Sequence, residues 1–207
     1  MKKISDINEN TAFYWDSIYG DKVKREEYAK NHTTVEVFDN NNSTRFIRCI
    51  DEVKKGDKCL DVGCGVGVFT KMIKAIYPEN EVWGTDISSQ VCKDNTHENP
   101  YINYRNLVVG EKGDLPNDFD FIFSGELLEH LDNPEDLFTY SYSLLKEGGR
   151  FLVTTPHTDR IHSNEHVWEF DHEDVEKLFL QAGFKRVRFI YLENGEHMLV
   201  IVALGIK

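Results

Sequence analysis

The chain has 207 residues, of which 40% are hydrophobic, and its 36 acidic and 24 basic residues give a formal net charge of -12. This length suits one domain, and the apolar fraction is large enough for a core, which excludes a chain that is disordered throughout. A surface this negative repels phosphate groups, so the composition disfavours nucleic acid and anionic membranes as partners.

The cysteines and the chain ends indicate a compartment. Cys49, Cys59, Cys64 and Cys92 form no C-x-x-C pair, which favours reduced thiols over disulfides or a zinc site. The N-terminus is charged and has no apolar run behind it, and the longest apolar stretch, 198–205, is too short to span a membrane. We therefore expect a cytoplasmic protein without a signal peptide, either a monomer or a homodimer.

The first 44 residues form a separate N-terminal segment, because the polar run 39–43 reads as a loop. The aromatic stretch 13–19 within it predicts a short helix. Two interpretations stay open for this segment: a lid or pocket wall that uses Tyr14, Trp15 and Tyr19 toward a substrate, or simple packing of aromatic rings on the domain edge.

From residue 45 to 207 the segments alternate between strand-like and helix-like. Helical spacing and end signals predict helices over 45–53, 69–76, 131–146 and 171–182. Strands are predicted over 58–62, 81–87, 102–108, 119–124, 151–155, 187–192 and 198–204. A short turn at Asn194-Gly195 joins the last two strands, and such a turn connects only antiparallel neighbours. The pattern predicts an α/β fold: a mostly parallel sheet with helices on both faces and one antiparallel strand.

A glycine-rich turn follows the first predicted strand, in the run 61–67. Glycines let the backbone turn sharply and approach a ligand closely. A dinucleotide fingerprint counted from Gly63 would need glycine at position 68, where this chain has Val68, and no G-K-[ST] follows. Asp61, directly before the turn, would repel a pyrophosphate but suits a cationic ligand.

A second acidic residue, Asp86, lies nineteen residues past Gly67, at the end of the second predicted strand. An acid at this point can accept hydrogen bonds from both ribose hydroxyls of an adenosine. The alternative is that Asp86 only caps the helix that begins near Ser88. Together with Asp61 and the glycines, the ligand role is favoured.

Four stretches resemble the class I, Rossmann-like methyltransferases that use S-adenosylmethionine, of the type 11/12/23-like group. Residues 59–69 resemble motif I of this family, and Asp86 resembles the acidic residue that binds the ribose. Residues 120–131 resemble the fourth strand and the loop that follows it, and 144–156 resemble the L-k-p-G-G turn and the fifth strand. The resemblance covers 45–207, which would be the methyltransferase domain, and implies a seven-stranded sheet in the order 3-2-1-4-5-7-6 with strand seven antiparallel.

The resemblance implies S-adenosylmethionine as cofactor and a set of residues that bind it: Asp61, Gly63, Cys64, Gly65, Gly67, Asp86, Ile87, Glu111 and Ser124. One position departs from the family pattern. Members often carry Asp after the third strand, where it meets the adenine amino group. Here the candidate is Glu111, whose longer side chain would have to make that contact.

A cluster of Glu126, Glu129 and His130 follows the fourth strand with the spacing i, i+3, i+4, which puts the three side chains on one face of a helical turn. Such a set could hold Mg²⁺, Mn²⁺ or Zn²⁺. A fourth ligand would come from the later histidines, His157, His162, His166 or His172, with His166 as the candidate; His157 and His166 are also candidate substrate residues. A metal-free role of His130 as base or positioning group, and a purely structural role, stay open as alternatives.

Two further resemblances point to different acceptors. The E-x-x-E-H turn, with 154–157 and 166–170, is similar to the metal-dependent 2′-O-methyltransferases of small-RNA 3′ ends. A similar turn occurs in small-molecule methyltransferases, including those of the ubiquinone type. The first hypothesis is methyl transfer to an O or N of a small-molecule or glycan-like acceptor, and the acidic charge counts against RNA. A non-catalytic S-adenosylmethionine-binding sensor or partner subunit is the third hypothesis, and an NAD-dependent oxidoreductase is disfavoured by Val68.

Overall fold

A large mixed sheet dominates the computed structural model, which describes residues 1–26, 48–159, 164–190 and 200–207. Its strands are β2 (Lys58–Val62), β3 (Glu81–Asp86), β4 (Asn103–Asn106), β5 (Phe119–Gly125), β6 (Leu145–Pro156), β8 (Arg186–Phe189) and β9 (Val200–Ile206). Their order is β4-β3-β2-β5-β6-β9-β8. The neighbours from β4 to β6 pair in parallel, whereas β9 is antiparallel to both β6 and β8. Counted along the chain this is the predicted order 3-2-1-4-5-7-6, so the fold prediction is confirmed.

Helices cover both faces of this sheet. They are α1 (Ala12–Gly20), α2 (Val68–Ile76), α3 (Ser89–Glu98), α4 (Pro134–Leu144) and α5 (His172–Ala182), with a 3₁₀ helix over Leu128–His130. A small antiparallel pair joins β1 (Lys2–Lys3) to β7 (Trp168–Glu169). The N-terminal end of the chain is thereby attached beside the region that follows β6. No helix in the described parts of the chain is long and apolar enough to cross a bilayer.

The core consists of two apolar layers, one on each face of the sheet. In β5, Phe121 and Phe123 face the layer that contains Phe69 of α2, while Ile122 between them faces the layer of Phe138 and the other α4 and α5 residues. Successive residues of a strand point to opposite faces, and a parallel strand covered by helices on both sides needs apolar residues on both. This explains why the three consecutive residues 121–123 of β5 are all apolar.

The boundary between α4 and β6 differs from the prediction. The helix was expected to continue to Lys146, but it ends at Leu144 and the strand begins at Leu145. The segment is drawn into the sheet: Leu145 pairs with Phe119, and Gly148 and Gly149 exchange backbone hydrogen bonds with Lys207. Long-range pairing thus overrides the local helical preference.

Several predicted features fall wholly or partly outside the described residues. These are the boundary between 44 and 45, the loop 39–43, the start of the helix over 45–53, His162, and the turn at Asn194-Gly195. The division into an N-terminal segment and a methyltransferase domain stays a prediction. The helix predicted over 171–182 is present with Asp171 as its N-cap, and it ends at Gly183, whose φ is 104°.

Candidate active site

A cavity opens at the carboxyl ends of β2, β3 and β5, where the crossover loops diverge. This is the edge at which open α/β sheets bind ligands. Its walls come from the glycine-rich turn, from the loops after β3, β4 and β5, and from the N-terminal segment. The site therefore combines residues that are far apart in the sequence.

The glycine-rich turn has a backbone that only glycine adopts without strain. Gly63, Gly65 and Gly67 have φ values of 74°, 50° and 76°, in the left-handed region. A Cβ at position 63 would lie 2.8 Å from the Leu127 side chain, and one at position 67 would lie 2.8 Å from the Tyr104 hydroxyl. Gly67 is also the N-cap of α2. The glycines thus allow a tight turn that keeps side chains away from the cavity.

Asp61 presents a buried carboxylate at the cavity wall. Its side chain is 3% exposed, and no group in the described parts of the chain donates a hydrogen bond to it. Burial raises the pKa of Asp61 well above its usual value, and the negative charge of Asp86 raises it further. A buried carboxylate without a donor is costly unless a ligand satisfies it, so Asp61 fits a cationic group.

Asp86 lies beside Asp61 but is partly satisfied. Its Oδ2 accepts the Gly65 N–H at 2.9 Å, and its Oδ1 accepts the Ser88 N–H at 2.9 Å. Burial raises the pKa of Asp86, while these two N–H groups oppose the rise. The N-cap of α3 is Ser88, whose hydroxyl accepts the Val91 N–H, so Asp86 holds the N-cap residue and is not the cap itself. Each Asp86 oxygen keeps a lone pair for a further donor, so the carboxylate can still accept the hydroxyls of a ribose.

An apolar wall completes the region past Asp86. Ile87 lies there as predicted, together with Leu107, Val108 and Val109 of the loop after β4. Glu111 is exposed, is not part of the wall, and accepts the Val108 N–H at 3.0 Å. The proposed adenine contact of Glu111 therefore has no support from the geometry.

Two other predicted cofactor residues have mainly structural contacts. Ser124 is buried and donates to the Val62 carbonyl at 3.0 Å, which ties β5 to β2. Cys64 lines the cavity, and burial raises the pKa of its thiol well above the usual value. A thiol held protonated in this way is a poor nucleophile, so Cys64 contributes shape and backbone.

The N-terminal segment covers one side of the cavity. Trp15 and Tyr19 of α1 line it, whereas Tyr14 does not. Helix α1 is held on α3 by Asp16, which accepts from the Ser88 hydroxyl at 2.6 Å and the Gln90 N–H at 3.1 Å. The pocket-wall interpretation thus agrees with the positions of Trp15 and Tyr19.

The E-x-x-E-H turn does not place its three side chains together. Glu126 has a φ of 53°, which turns it out of the helical path, and its carboxylate accepts from Thr154 at 3.1 Å. Glu129, 2% exposed, accepts from Thr155 at 3.0 Å. The expectation of one shared face fails because only Leu128–His130 forms a helical turn, of 3₁₀ type.

His130 lines the cavity and is fixed by a backbone contact. Its Nδ1 lies 3.0 Å from the Glu165 carbonyl oxygen. Because a carbonyl oxygen only accepts, Nδ1 carries the proton and Nε2 is left without one in the neutral ring. Burial lowers the pKa of His130, against the smaller opposing effects of that hydrogen bond and of the negative charges of Glu126 and Glu165, which favours the neutral ring.

Of the later histidines, only His166 lies near this turn in the described parts of the chain. Its ring centroid is 5.1 Å from that of His130, and ligand atoms of Glu129, His130 and His166 all lie within 4.8 Å of one another. His157 is elsewhere, 5.3 Å from the His172 ring and outside the cavity wall. The structure therefore brings three of the four predicted metal ligands together and leaves out Glu126.

Two contributions were missed at the sequence level. Asn10 lines the cavity from the N-terminal segment, and Glu165 supports His130 through its backbone. Neither residue belongs to a recognisable motif. Asn10 contributes its side-chain amide and Glu165 contributes its backbone carbonyl, and a backbone carbonyl leaves no signal in the residue type. The apolar wall at 107–109 could have been anticipated, because an apolar run after the third strand reaches the same sheet edge.

Comparison with known proteins agrees with this geometry. Residues 38–188 match the family model described as a methyltransferase domain, which covers more than half of the chain. The protein therefore belongs to the class I methyltransferases that depend on S-adenosylmethionine.

Curated relatives within this family act on different acceptors. The juvenile hormone acid O-methyltransferase of Bombyx mori is 30% identical over 177 residues, which span 68% of this chain and 64% of that protein. The ubiquinone biosynthesis O-methyltransferase of Dechloromonas aromatica is 34% identical over 105 residues, 48% of this chain and 44% of the relative. The chain thus spans less than two thirds of either relative.

Solved structures share the fold at lower identity. Phosphoethanolamine N-methyltransferase 2 of Haemonchus contortus, solved with phosphomonomethylethanolamine and S-adenosylhomocysteine, has a TM-score of 0.60 at 21% identity, over 73% of this chain and 38% of that one. A chain from the complex of the Haloferax volcanii Trm112 activator and a methyltransferase has a TM-score of 0.70 at 15% identity, over 98% of this chain and 99% of that one.

Proposed function

We propose that this protein transfers a methyl group from S-adenosylmethionine to an oxygen or nitrogen of a small-molecule acceptor. The observation that carries the proposal is the buried Asp61 carboxylate, which faces the cavity without a donor in the described parts of the chain and lies beside Asp86 and the glycine-rich turn. When bound, S-adenosylmethionine supplies an electrophilic methyl group on a positively charged sulfur. The negative charge of Asp61 suits that ligand, and the free lone pairs of Asp86 suit its ribose.

His130 is the group that serves the acceptor. It lines the same cavity, its burial favours the neutral ring, and the contact of Nδ1 with the Glu165 carbonyl leaves Nε2 without a proton in that form. An unprotonated imidazole nitrogen can accept the proton that an acceptor hydroxyl or ammonium must lose. The departing thioether is neutral, so no acid is needed on the donor side. Trp15 and Leu131 line the same cavity as His130, and the Trp15 ring contacts the His130 ring edge to face.

The first test is titration calorimetry with S-adenosylmethionine, S-adenosylhomocysteine and NAD. We expect the two sulfur compounds to bind and NAD not to bind; the reverse outcome would overturn the proposal. The second test incubates the protein with methyl-labelled donor and a panel of carboxylic acids, phenols and amines. His130→Ala should retain donor binding and lose turnover by about 10²–10⁴-fold, while Asn117→Ala, at an exposed position, serves as control.

Donor binding without product across the panel would instead favour a non-catalytic sensor. The proposal of catalysis would then fail while the proposal of the cofactor would stand. Donor binding and product formation are measured separately, so the first tests the cofactor and the second tests catalysis.

A second candidate is a metal-dependent reaction, of which a 2′-O-methyltransferase acting on an RNA ribose is the example. The observation that favours it is the approach of His130 Nε2 to Glu129 Oε1 at 3.8 Å. Both atoms are acceptors, so their proximity favours a cation between them. Two imidazoles and a carboxylate suit Mn²⁺ or Zn²⁺, and the Glu165 carbonyl supports His130 as such ligands require.

The ligand atoms of Glu129, His130 and His166 would have to move closer together to bind one metal ion. Ligands about 2.1 Å from one ion lie about 3–3.5 Å apart, and the three atoms here are separated by up to 4.8 Å. Activity that survives exhaustive chelation and does not respond to Mn²⁺, Mg²⁺ or Zn²⁺ would eliminate this candidate. Activity lost on chelation and restored by one of these ions would establish it.

A further inference from the structure

The N-terminal segment is hydrogen-bonded directly to the turn that carries His130. The Asn8 Nδ2 donates to the His130 carbonyl oxygen at 3.0 Å and to Asp132 Oδ1 at 3.0 Å. Both partners are acceptors, so the Asn8 amide has a single satisfactory orientation, with Oδ1 turned away from them.

Asn10 continues this network toward the cavity. Its backbone N–H and its Nδ2 donate to Asn8 Oδ1 at 2.9 and 2.7 Å, and its Nδ2 also donates to the Glu165 carbonyl at 2.8 Å. Asn10 Oδ1 has no donor in the described parts of the chain. A flipped amide would set Oδ1 against two acceptors, so this orientation is fixed as well.

The network converges on one carbonyl oxygen. The Glu165 carbonyl accepts from Asn10 Nδ2 and from His130 Nδ1. The Glu165 side chain is held separately, because the Tyr14 hydroxyl donates to its Oε1 at 3.1 Å. Three residues of the N-terminal segment therefore hold both the backbone of His130 and the group that its ring contacts.

We propose that Asn8 and Asn10 are positioning residues for His130: they hold the Glu165 carbonyl where it keeps the ring proton on Nδ1 and leaves Nε2 as the acceptor. Both residues lie before the stretch 38–188 that matches the family model, so the active site of this chain would extend into its own N-terminal segment. The inference rests on the proposed function only where it takes His130 as the group that serves the acceptor.

The chemical logic follows from the tautomer. A neutral imidazole has one proton on either nitrogen, and the hydrogen bond made by one nitrogen decides which form is present. Without the Glu165 carbonyl in place, Nε2–H becomes accessible. That form has no lone pair at Nε2 for an acceptor proton, so the fraction of competent enzyme falls.

The test measures the tautomer directly in the full chain, after chelation and without donor or acceptor. Long-range ¹H–¹⁵N correlation spectra of the histidine-labelled protein are recorded at pH 8, and the His130 signals are assigned from their loss in His130→Gln. We expect wild type to show a protonated Nδ1 and an unprotonated Nε2. A wild-type ring with its proton on Nε2, or an even mixture, would overturn the inference whatever the variants do.

Asn10→Asp is the informative variant, because it keeps the shape of the side chain and replaces the donor with an acceptor. We expect the tautomer ratio to move toward Nε2–H by about fivefold or more, the factor that corresponds to one hydrogen bond. Asn117→Asp makes the same chemical change at an exposed position and should leave the ratio unchanged. An unchanged ratio in a folded Asn10→Asp protein would refute the positioning role.

Two additional measurements separate this inference from its premises. Asn10→Ala removes both donations without adding charge, so it provides a second variant if Asn10→Asp does not fold. Once an acceptor is known, kcat should fall in these variants by the factor by which the Nδ1–H fraction of the ring falls, with the KM for the donor unchanged. Failure of wild type to bind S-adenosylmethionine would refute the proposed function and leave the tautomer result intact.

Discussion

Replacement of Asp61 by asparagine should weaken donor binding and stabilise the protein without ligand. The carboxylate is 3% exposed, and no described group donates to it, so its charge is poorly compensated until a cation binds. A charge-assisted contact contributes about 1.5–3 kcal/mol, which corresponds to a loss of about 10–100-fold in affinity for S-adenosylmethionine. The asparagine side chain would have the same shape and no charge, so the backbone of the turn should be unaffected.

The effect on stability has a definite sign with pH. The pKa of Asp61 is raised in the folded protein, so the folded state binds a proton more readily than the unfolded state. The stability that comes from this proton is complete below the unfolded pKa of about 3.9 and is lost as pH rises through the folded value. The asparagine of the variant does not ionise, so the variant does not lose stability as pH rises. The Tm of the variant should therefore exceed the Tm of wild type by an increasing amount as pH rises from the unfolded to the folded pKa of Asp61.

The assay combines calorimetric titration of the donor with thermal unfolding between pH 5 and 8. Asp6→Asn, whose side chain is 99% exposed, is the matched control and should change neither quantity. Asp61→Asn binding the donor with wild-type affinity would refute the electrostatic argument. A drop in Tm at neutral pH would show instead that Asp61 is satisfied in the folded protein.

Three further substitutions test other parts of the structure by thermal unfolding and donor titration. Gly67→Ala should cost about 1–2 kcal/mol because its φ of 76° is left-handed and the added Cβ would lie 2.8 Å from the Tyr104 hydroxyl. Arg150→Met should cost about 3–5 kcal/mol, since it removes the 2.5 Å partner of buried Asp57. Asp16→Ala removes the contact that holds α1 on α3, so it should cost about 1 kcal/mol and raise the Kd for the donor; an unchanged Kd would show that α1 does not contribute to the site.

The parallel sheet could be predicted because each part of it follows from local signals. The segment 58–62, which ends at a glycine, indicated a short strand, and the mainly apolar segment 119–124 indicated a buried one. The spacing of Phe69, Ile73 and Ile76 indicated the helix between strands. The order of the strands within the sheet was expected from the resemblance to class I methyltransferases. The end of α4 could not be predicted in this way, because the pairing of Leu145 and Gly149 involves partners that are distant in sequence.

The cofactor side of the site was also accessible to sequence reasoning. Asp61 and Asp86 lie near the glycines at the ends of adjacent parallel strands, as the sequence pattern predicted. Glu111 shows the limit of this reasoning: a carboxylate after the third strand was expected to reach the ligand, but it folds back onto the Val108 N–H. The choice between a local partner and a ligand depends on side-chain direction, which the residue type does not specify.

The sequence by itself determined the order of strands and helices along the chain and the position of the proposed donor site, because both depend on short-range patterns repeated along one chain. The tertiary structure alone decided which residues surround His130. The turn that carries His130 separates Glu126 from Glu129 through one left-handed residue, and Asn8, Asn10 and Glu165 meet that turn only after the N-terminal segment has packed against the rest of the chain. Such contacts join residues far apart in the sequence through single amide and carbonyl groups, and no periodicity or motif encodes them.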